Sequence, residues 1–225
     1  MEAIQAAVTI PHELLIVYDF EEDPTVPVAR RLAVRWPHLR PLLNELGSGV
    51  LNALKVGMRE ARGDSVLVTM ADGADDPSTI MPMHATLLAG YDLVCASRYM
   101  RGGRQVGGPL VKSLLSRLAG LSLHLLAGVP THDATNSFKL YRRGLLLNIP
   151  IKSTGGFEVG LELTVKAYLN GYRIAEVPTI WRDRTTGSSN FKLLRWLPNY
   201  LKWYWLGMTR MFIEKPKRAD PFPKG

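Results

Sequence analysis

Three carboxylates crowd together where an apolar run ends. In VLVTMADGADDPST (residues 66–79), Val66, Leu67 and Val68 lead into Asp72, Asp75 and Asp76, with Gly73 among them. Like charges this close repel, so such a cluster calls for a positive species between its members. The plain alternative is an Asp-rich turn in which Asp76 caps a helix that has Pro77 in its first turn. Other chemistry-bearing positions also sit at the ends of apolar runs. Asp19 closes LLIVYD (14–19), and Arg98 follows YDLVCAS (91–97). Fourteen residues past Arg98, Lys112 and Ser116 stand at i and i+4, so a helix would present both on one face. Asp133 lies in THDATNSF and Glu158 in GGFEVGLE, while Arg182, Arg184 and Ser189 share the stretch RDRTTGSSNF (182–191).

The elements that must position these residues follow from periodicity. Short apolar runs at 14–19, 65–70 and 91–97 read as buried strands. Helices are expected from near Val28, over 47–62 after a Gly-rich start, and over 79–89, 109–127 and 156–169. A further strand is expected over 172–180, and RGGRQVGG (101–108) reads as a flexible basic loop. Strands alternating with helices imply a parallel sheet covered on both faces, with the ligand site beyond the carboxyl ends of the strands. Asp19, Asp72 and Arg98 all fall at such ends. No internal repeat shows. One domain is expected over 1–190, an amphipathic segment over 191–213 and a disordered tail over 214–225.

Composition narrows the partners. The formal charge of +8 points to an anionic partner: nucleic acid, a membrane surface or a phosphorylated substrate. Basic residues here alternate with strand-end acids that would repel a nucleic-acid backbone, which argues against that partner. With 46% hydrophobic and 21% charged residues the chain can bury a sizeable core. The single cysteine, Cys95, excludes an internal disulfide and a Cys-based zinc site; it reads as a small core residue or, more sharply, as a catalytic thiol. The sequence shows neither a signal peptide nor a run of 18 apolar residues, so a soluble or peripheral protein is expected.

The order LLIVYDFEEDPT, GSGVLNALKVG, TMADGADDP, DLVCASRYMRGG, HDATNSFKLYRR and GYRIAEVPTIWRDRTTGSSNF resembles the family 2 glycosyltransferases, particularly the dolichyl- and polyprenyl-phosphate sugar (mannose or glucose) synthases. The resemblance covers residues from about 14 to about 205. It implies an α/β protein of the GT-A fold, with a mostly parallel central sheet flanked by helices and amphipathic helices at its C-terminal end. Three departures stand out. The family's opening strand is absent, and MEAIQAAV is similar to the helix that follows it. The paired acids after the first visible strand are reduced to Tyr18-Asp19. The Asp-x-Asp metal signature is written Ala71-Asp72-Gly73, with Asp75 and Asp76 beyond it.

The resemblance implies an inverting transfer of a sugar from a nucleotide-diphosphate donor, of GDP-mannose or UDP-glucose type, to a polyprenyl or dolichyl phosphate. Mg²⁺ or Mn²⁺ would be held by Asp72 and Asp75 first and Asp76 third. Donor nucleotide contacts fall to Asp19, Asp72 and Arg184. Asp19 also reads as an ordinary strand-end acid. Acceptor-phosphate contacts fall to Arg98, Lys112, Ser116 and Ser189, with solvated surface charge as the bland reading of the basic residues. Asp133 and Arg98 are placed at the reacting centre, though Asp133 could equally cap a turn, and Glu158 is a second acid there. The helix at 109–127 and the Trp/Tyr/Lys/Arg-rich 195–212, with Trp196, Trp203, Tyr204 and Trp205 beside Lys202, are similar to membrane-interfacial elements. That predicts a peripheral enzyme at the cytoplasmic face of a membrane without a spanning segment. A sugar or glycolipid hydroxyl as acceptor, or a catalytically inactive binding protein or fragment, are the alternatives.

Overall fold

The chain alternates helix and strand from its first residues: α1 (Glu2–Ala7), β1 (Leu14–Tyr18), α2 (Thr25–Arg35), β2 (Leu39–Leu43), α3 (Val50–Glu60) and β3 (Ser65–Val68). A single 3-10 turn, Pro77–Thr79, precedes α4 (Ile80–Leu88), β4 (Leu93–Ser97), β5 (Arg104–Val106) and α5 (Leu110–Ala127). The remainder comprises β6 (Lys139–Arg142), α6 (Arg143–Asn148), α7 (Val159–Leu169), β7 (Ile174–Pro178), β8 (Ile180–Arg182) and α8 (Leu193–Met208). This computed structural model describes residues 1–183 and 193–209. Arg184, Ser189 and the tail at 214–225 lie outside the described residues.

The central sheet has the order β3-β6-β4-β7. β4 and β7 run parallel, while β6 runs antiparallel to both β3 and β4, so the sheet is mixed at its centre. Every residue of β4 is buried, as the continuous apolar run LVCAS requires of a strand covered on both faces. Alternation along β4 divides the core. Leu93 and Cys95 face α3, α6 and α7 on one side. Val94 and Ala96 face α4 and the α1 residue Ile4 on the other. A third cluster joins α5, α7 and α8 through Leu123, Leu161 and Trp203.

β1 and β2 pair in parallel as a separate two-stranded piece, with no ladder to the central sheet among the described residues. Helices nevertheless cover both pieces. Gly57 of α3 approaches Val17 of β1, while Leu54 and Met58 of α3 pack with Val68 of β3. On the opposite face Ile4 packs near Leu67, and α1 is tied to the α2–β2 side by a bond between Gln5 and His38.

Three expectations change on inspection. The segment 101–108, read as a flexible loop, contains the short strand β5, which pairs with β8, and a Cβ on Gly103 just before it would lie 2.3 Å from the Ser97 carbonyl oxygen. α5 proves, by length and composition, long and apolar enough to cross a membrane, the single such helix among the described residues. The aromatic cluster near the C-terminus is not uniformly outward: Trp203 is buried and Tyr204 bonds to Ser122 of α5, leaving Trp205 exposed.

Candidate active site

The carboxylates after β3 divide by environment. Asp75 turns back under the strand end, where its Oδ2 accepts from the Thr69 hydroxyl at 2.9 Å and the Met70 amide at 3.2 Å. Burial pushes its carboxyl up to about 6, and the neighbouring charge of Asp72 adds to the rise. Asp72 is exposed and accepts from the Ala74 amide through one oxygen. Asp76 caps the 3-10 turn: its Oδ1 accepts from the amide and hydroxyl of Ser78, and its Oδ2 lies 3.6 Å from the Arg182 guanidinium. The cap reading therefore describes Asp76, while Asp72 and Asp75 remain as the pair.

That pair fits a divalent cation. A desolvated carboxyl raised beside a second negative charge regains its ionised form when a cation arrives. Among the described residues no group of three or more His, Cys, Asp or Glu side chains forms a ready-made cage. The fit is to an ion such as Mg²⁺, for which one or two carboxylates suffice alongside substrate phosphates.

Beside it lies a buried ion pair. Arg98 follows the last residue of β4 and donates to Asp133 through its backbone amide (3.0 Å), Nε (2.7 Å) and Nη2 (2.9 Å). Burial alone would raise the Asp133 carboxyl, but the Arg98 charge and donors outweigh it and hold it below the ordinary range. The guanidinium is likewise driven above its usual value, with Asp133 outweighing burial. Arg98 Nη2 also donates to Ser116 Oγ at 3.1 Å, and Ser116 meets Thr135 Oγ1 at 2.5 Å. Asp75 lies within electrostatic reach of Arg98. The structure thus joins Arg98, Ser116 and Asp133 and sets them near Asp75. Lys112 stands exposed one turn before Ser116 on α5.

Asp19 spends both oxygens on the chain. Oδ1 accepts from Asn44 Nδ2 at 2.7 Å, and Oδ2 accepts from the amide of Gly49, the residue just before α3. The start of α3 abuts the loop before α7, since a Cβ on Gly156 would lie 2.7 Å from the Leu51 amide nitrogen. In that loop Glu158 is fully buried; its Oε1 accepts from the amides of Thr154 and Gly155, whereas its Oε2 has no hydrogen-bond partner among the described residues. A carboxylate oxygen enclosed without a partner is costly to the fold. Asn136 is structural: its Nδ2 donates to the Ala96 carbonyl at 2.8 Å. Cys95 is buried in the sheet, where desolvation lifts its thiol to about 11, which rules out the catalytic-thiol reading.

Sequence reading missed two charges that flank Asp133, the fully buried Lys139 and the largely covered Glu176. The signal for Lys139 was present, a lysine inside the apolar strand SFKLY, but a lone lysine is ordinarily solvated.

The family model described as Glycosyl transferase family 2 matches residues 2–149. Polyprenol monophosphomannose synthase of Mycolicibacterium smegmatis is 33% identical over 184 residues, covering 78% of this chain and 69% of that protein. Dolichol-phosphate mannosyltransferase of Pyrococcus furiosus is 24% identical over 202 residues, 85% of this chain but 56% of its own length. Among solved structures, glucosyl-3-phosphoglycerate synthase from Mycobacterium tuberculosis, in complex with Mn²⁺, UDP and glucosyl-3-phosphoglycerate, has a TM-score of 0.64 at 19% identity. That likeness covers 94% of this chain and 74% of the other, and at this identity it shows the fold, GT-A-like, alone.

Proposed function

The chain belongs to glycosyl transferase family 2, and on that premise we propose that it moves a sugar from a nucleotide-diphosphate donor of GDP-mannose or UDP-glucose type to a polyprenyl or dolichyl phosphate at a membrane surface. The observation that carries this reading is the Arg98–Asp133–Ser116 group, an anchored guanidinium beside a hydroxyl and within electrostatic reach of the Asp75 carboxyl. Such a guanidinium suits a phosphate monoester, and the acid pair suits a cation-bridged diphosphate. The names of the relatives support the acceptor, and a fold neighbour bound to Mn²⁺ and UDP supports the donor.

The reaction needs little proton chemistry. A phosphate monoester has its second pKa near 6 and is already a dianion at neutral pH. One acceptor oxygen attacks the anomeric carbon from the face opposite the diphosphate. The bond from that carbon to the diphosphate oxygen breaks, and its electron pair leaves with the nucleoside diphosphate, which inverts the centre. Asp133 serves here by fixing Arg98, not by taking a proton, because all its strong hydrogen bonds are spent on that residue. Arg98 and Ser116 align the acceptor phosphate, and Lys112 adds charge at its approach. A divalent cation held by Asp72 and Asp75 would neutralise charge on the departing diphosphate.

Membrane contact rests on α5 and α8. Leu110, Val111, Leu114, Leu118, Leu125 and Leu126 of α5 are exposed, as is Trp205 of α8. Apolar side chains with Lys112 and Trp205 among them suit headgroup depth. The test is to supply labelled GDP-mannose or UDP-glucose, with and without Mn²⁺, to the chain and a polyprenyl phosphate. Label passing into the lipid extract with one donor and metal is the expected result. Transfer to a glycolipid hydroxyl alone, or to nothing, overturns the proposal.

A further inference from the structure

Three side chains stand abreast across the central sheet. Cys95 of β4 is in register with Lys139 of β6 on one side and with Glu176 of β7 on the other. Register neighbours project from the same face, so a cation, a thiol and a carboxylate form one row under the loop at 131–136. Lys139 is fully buried and donates its ammonium protons to the carbonyl of Ala134 at 3.0 Å and to that of Asn136. Glu176 takes the other half of the loop. Its Oε2 accepts from the Thr131 hydroxyl (3.1 Å) and the His132 amide (2.8 Å), and its Oε1 meets His132 Nδ1 at 2.5 Å. Asp133 lies between the two anchored halves. From above, α5 closes on the same loop, because a Cβ on Gly120 would stand 2.2 Å from the His132 carbonyl oxygen.

Buried charges are expensive, and stability alone is served as well by apolar residues of similar volume. What this row supplies is a fixed loop. Neither side chain hydrogen-bonds to Arg98, although the Lys139 charge is felt by both Arg98 and Asp133; both hold the backbone on either side of the carboxylate that binds it.

We propose that Lys139 and Glu176 are positioning residues, a two-ended clamp that sets Asp133 and through it aims the Arg98 guanidinium at the acceptor phosphate. This rests on the acceptor assigned above. Supporting groups of this kind, one contact removed from the reacting atoms, shift function by about 10- to 100-fold when lost from metal sites, and the same leverage applies to an anchored guanidinium.

The experiment compares Glu176→Met, Glu176→Gln and Lys139→Met with the unaltered full chain. Glu176→Met removes the acceptor oxygens; Glu176→Gln keeps one for Thr131 and the His132 amide and acts as the rescue. The acceptor KM should rise about tenfold in Glu176→Met and in Lys139→Met. In Glu176→Gln it should stay within about threefold of the unaltered value. GDP or UDP affinity with Mn²⁺ should hold within about twofold throughout, and amide exchange at 131–136 should quicken in the two Met variants. An unchanged acceptor KM in Glu176→Met, equal loss of donor and acceptor binding, or failure of Glu176→Gln to rescue would each overturn the clamp. Should Lys139→Met not fold, the Glu176 pair decides alone. Should the unaltered chain transfer no sugar, the functional reading falls and the clamp is judged by titration with farnesyl phosphate: a tenfold loss in Glu176→Met upholds it, and no loss overturns it.

Discussion

Arg98 places three hydrogen bonds, one from its backbone amide and two from its guanidinium, on the single carboxylate of Asp133, which has no exposed surface. Each group is the other's reason for being charged there: burial opposes both ionised forms, and the pairing outweighs it on both sides. A guanidinium held this way keeps its orientation before any ligand arrives.

Removing one partner should therefore cost far more than the pair itself is worth. Asp133→Ala leaves a buried cation uncompensated and should destabilise the fold by about 3–5 kcal/mol. Arg98→Lys keeps the charge but loses the fork, so it should fold better than Asp133→Ala and still weaken acceptor binding. Urea unfolding of the two variants beside acceptor titration checks the ordering. Equal stability of Asp133→Ala and the unaltered chain would show that the buried pair is not what the geometry says.

Asp75 offers a pH signature. Its carboxyl stands at about 6 in the fold against an ordinary 3.8. Between those values the fold keeps a proton that the unfolded chain has released, so stability is full below the lower value and falls as pH rises through the upper one. A gap of that size is worth up to about 3 kcal/mol. Asp75→Asn cannot ionise and should lose this slope, becoming the more stable protein above pH ~6 while losing metal-dependent nucleotide binding. Urea midpoints of both proteins from acid to neutral pH, without metal, should diverge as pH rises. Parallel curves would contradict the assigned burial.

Gly120 tests the contact between α5 and the loop that carries Asp133. Gly120→Ala would drive a methyl into the His132 carbonyl, 2.2 Å away, which is backbone and cannot swing aside. Overpacking of this kind costs about 1–3 kcal/mol, and a protein of this size loses about 2–4 °C of Tm for each of those. Gly144, where nothing lies within 4 Å, is the control, and Gly144→Ala should hold its Tm. Indistinguishable melting of the two would place α5 further from the loop than it stands.

Much of this arrangement was legible in the sequence, and the part that was not has a physical reason. LLIVY, SVLV and LVCAS announce β1, β3 and β4 because branched apolar runs closed by polar residues have few other solutions. β2 was invisible, since LRPLL puts Arg40 and Pro41 inside the strand, and only pairing with β1 makes it one. That Asp72, Asp75 and Arg98 follow the ends of apolar strands was readable from residue type and spacing, whereas Ser116 was singled out through the family resemblance. That Asp76 caps its own turn was also readable, from Asp-Pro-Ser. Lys139 and Glu176 were not readable, because their role depends on lying in register with Cys95 across strands far apart in sequence.

The exposed leucines of α5 make the last prediction. Leu110 is 85% and Leu114 58% exposed, one turn apart on the same face. Exposed apolar side chains contribute little to the fold in water, so Leu110→Asp with Leu114→Asp should leave unfolding within about 0.5 kcal/mol per site. At a membrane the same two residues gain a good part of the 1.5–3 kcal/mol that full burial of a leucine is worth. Losing both while adding two negative charges should lower partition onto phosphatidylglycerol vesicles by well over tenfold. Nucleotide binding with Mn²⁺ should not change, because the donor site proposed at Asp72 and Asp75 includes neither leucine. Co-sedimentation of the double variant and the unaltered chain decides the matter. Equal partition would remove α5 from the membrane surface and leave the acceptor lipid to approach by another route.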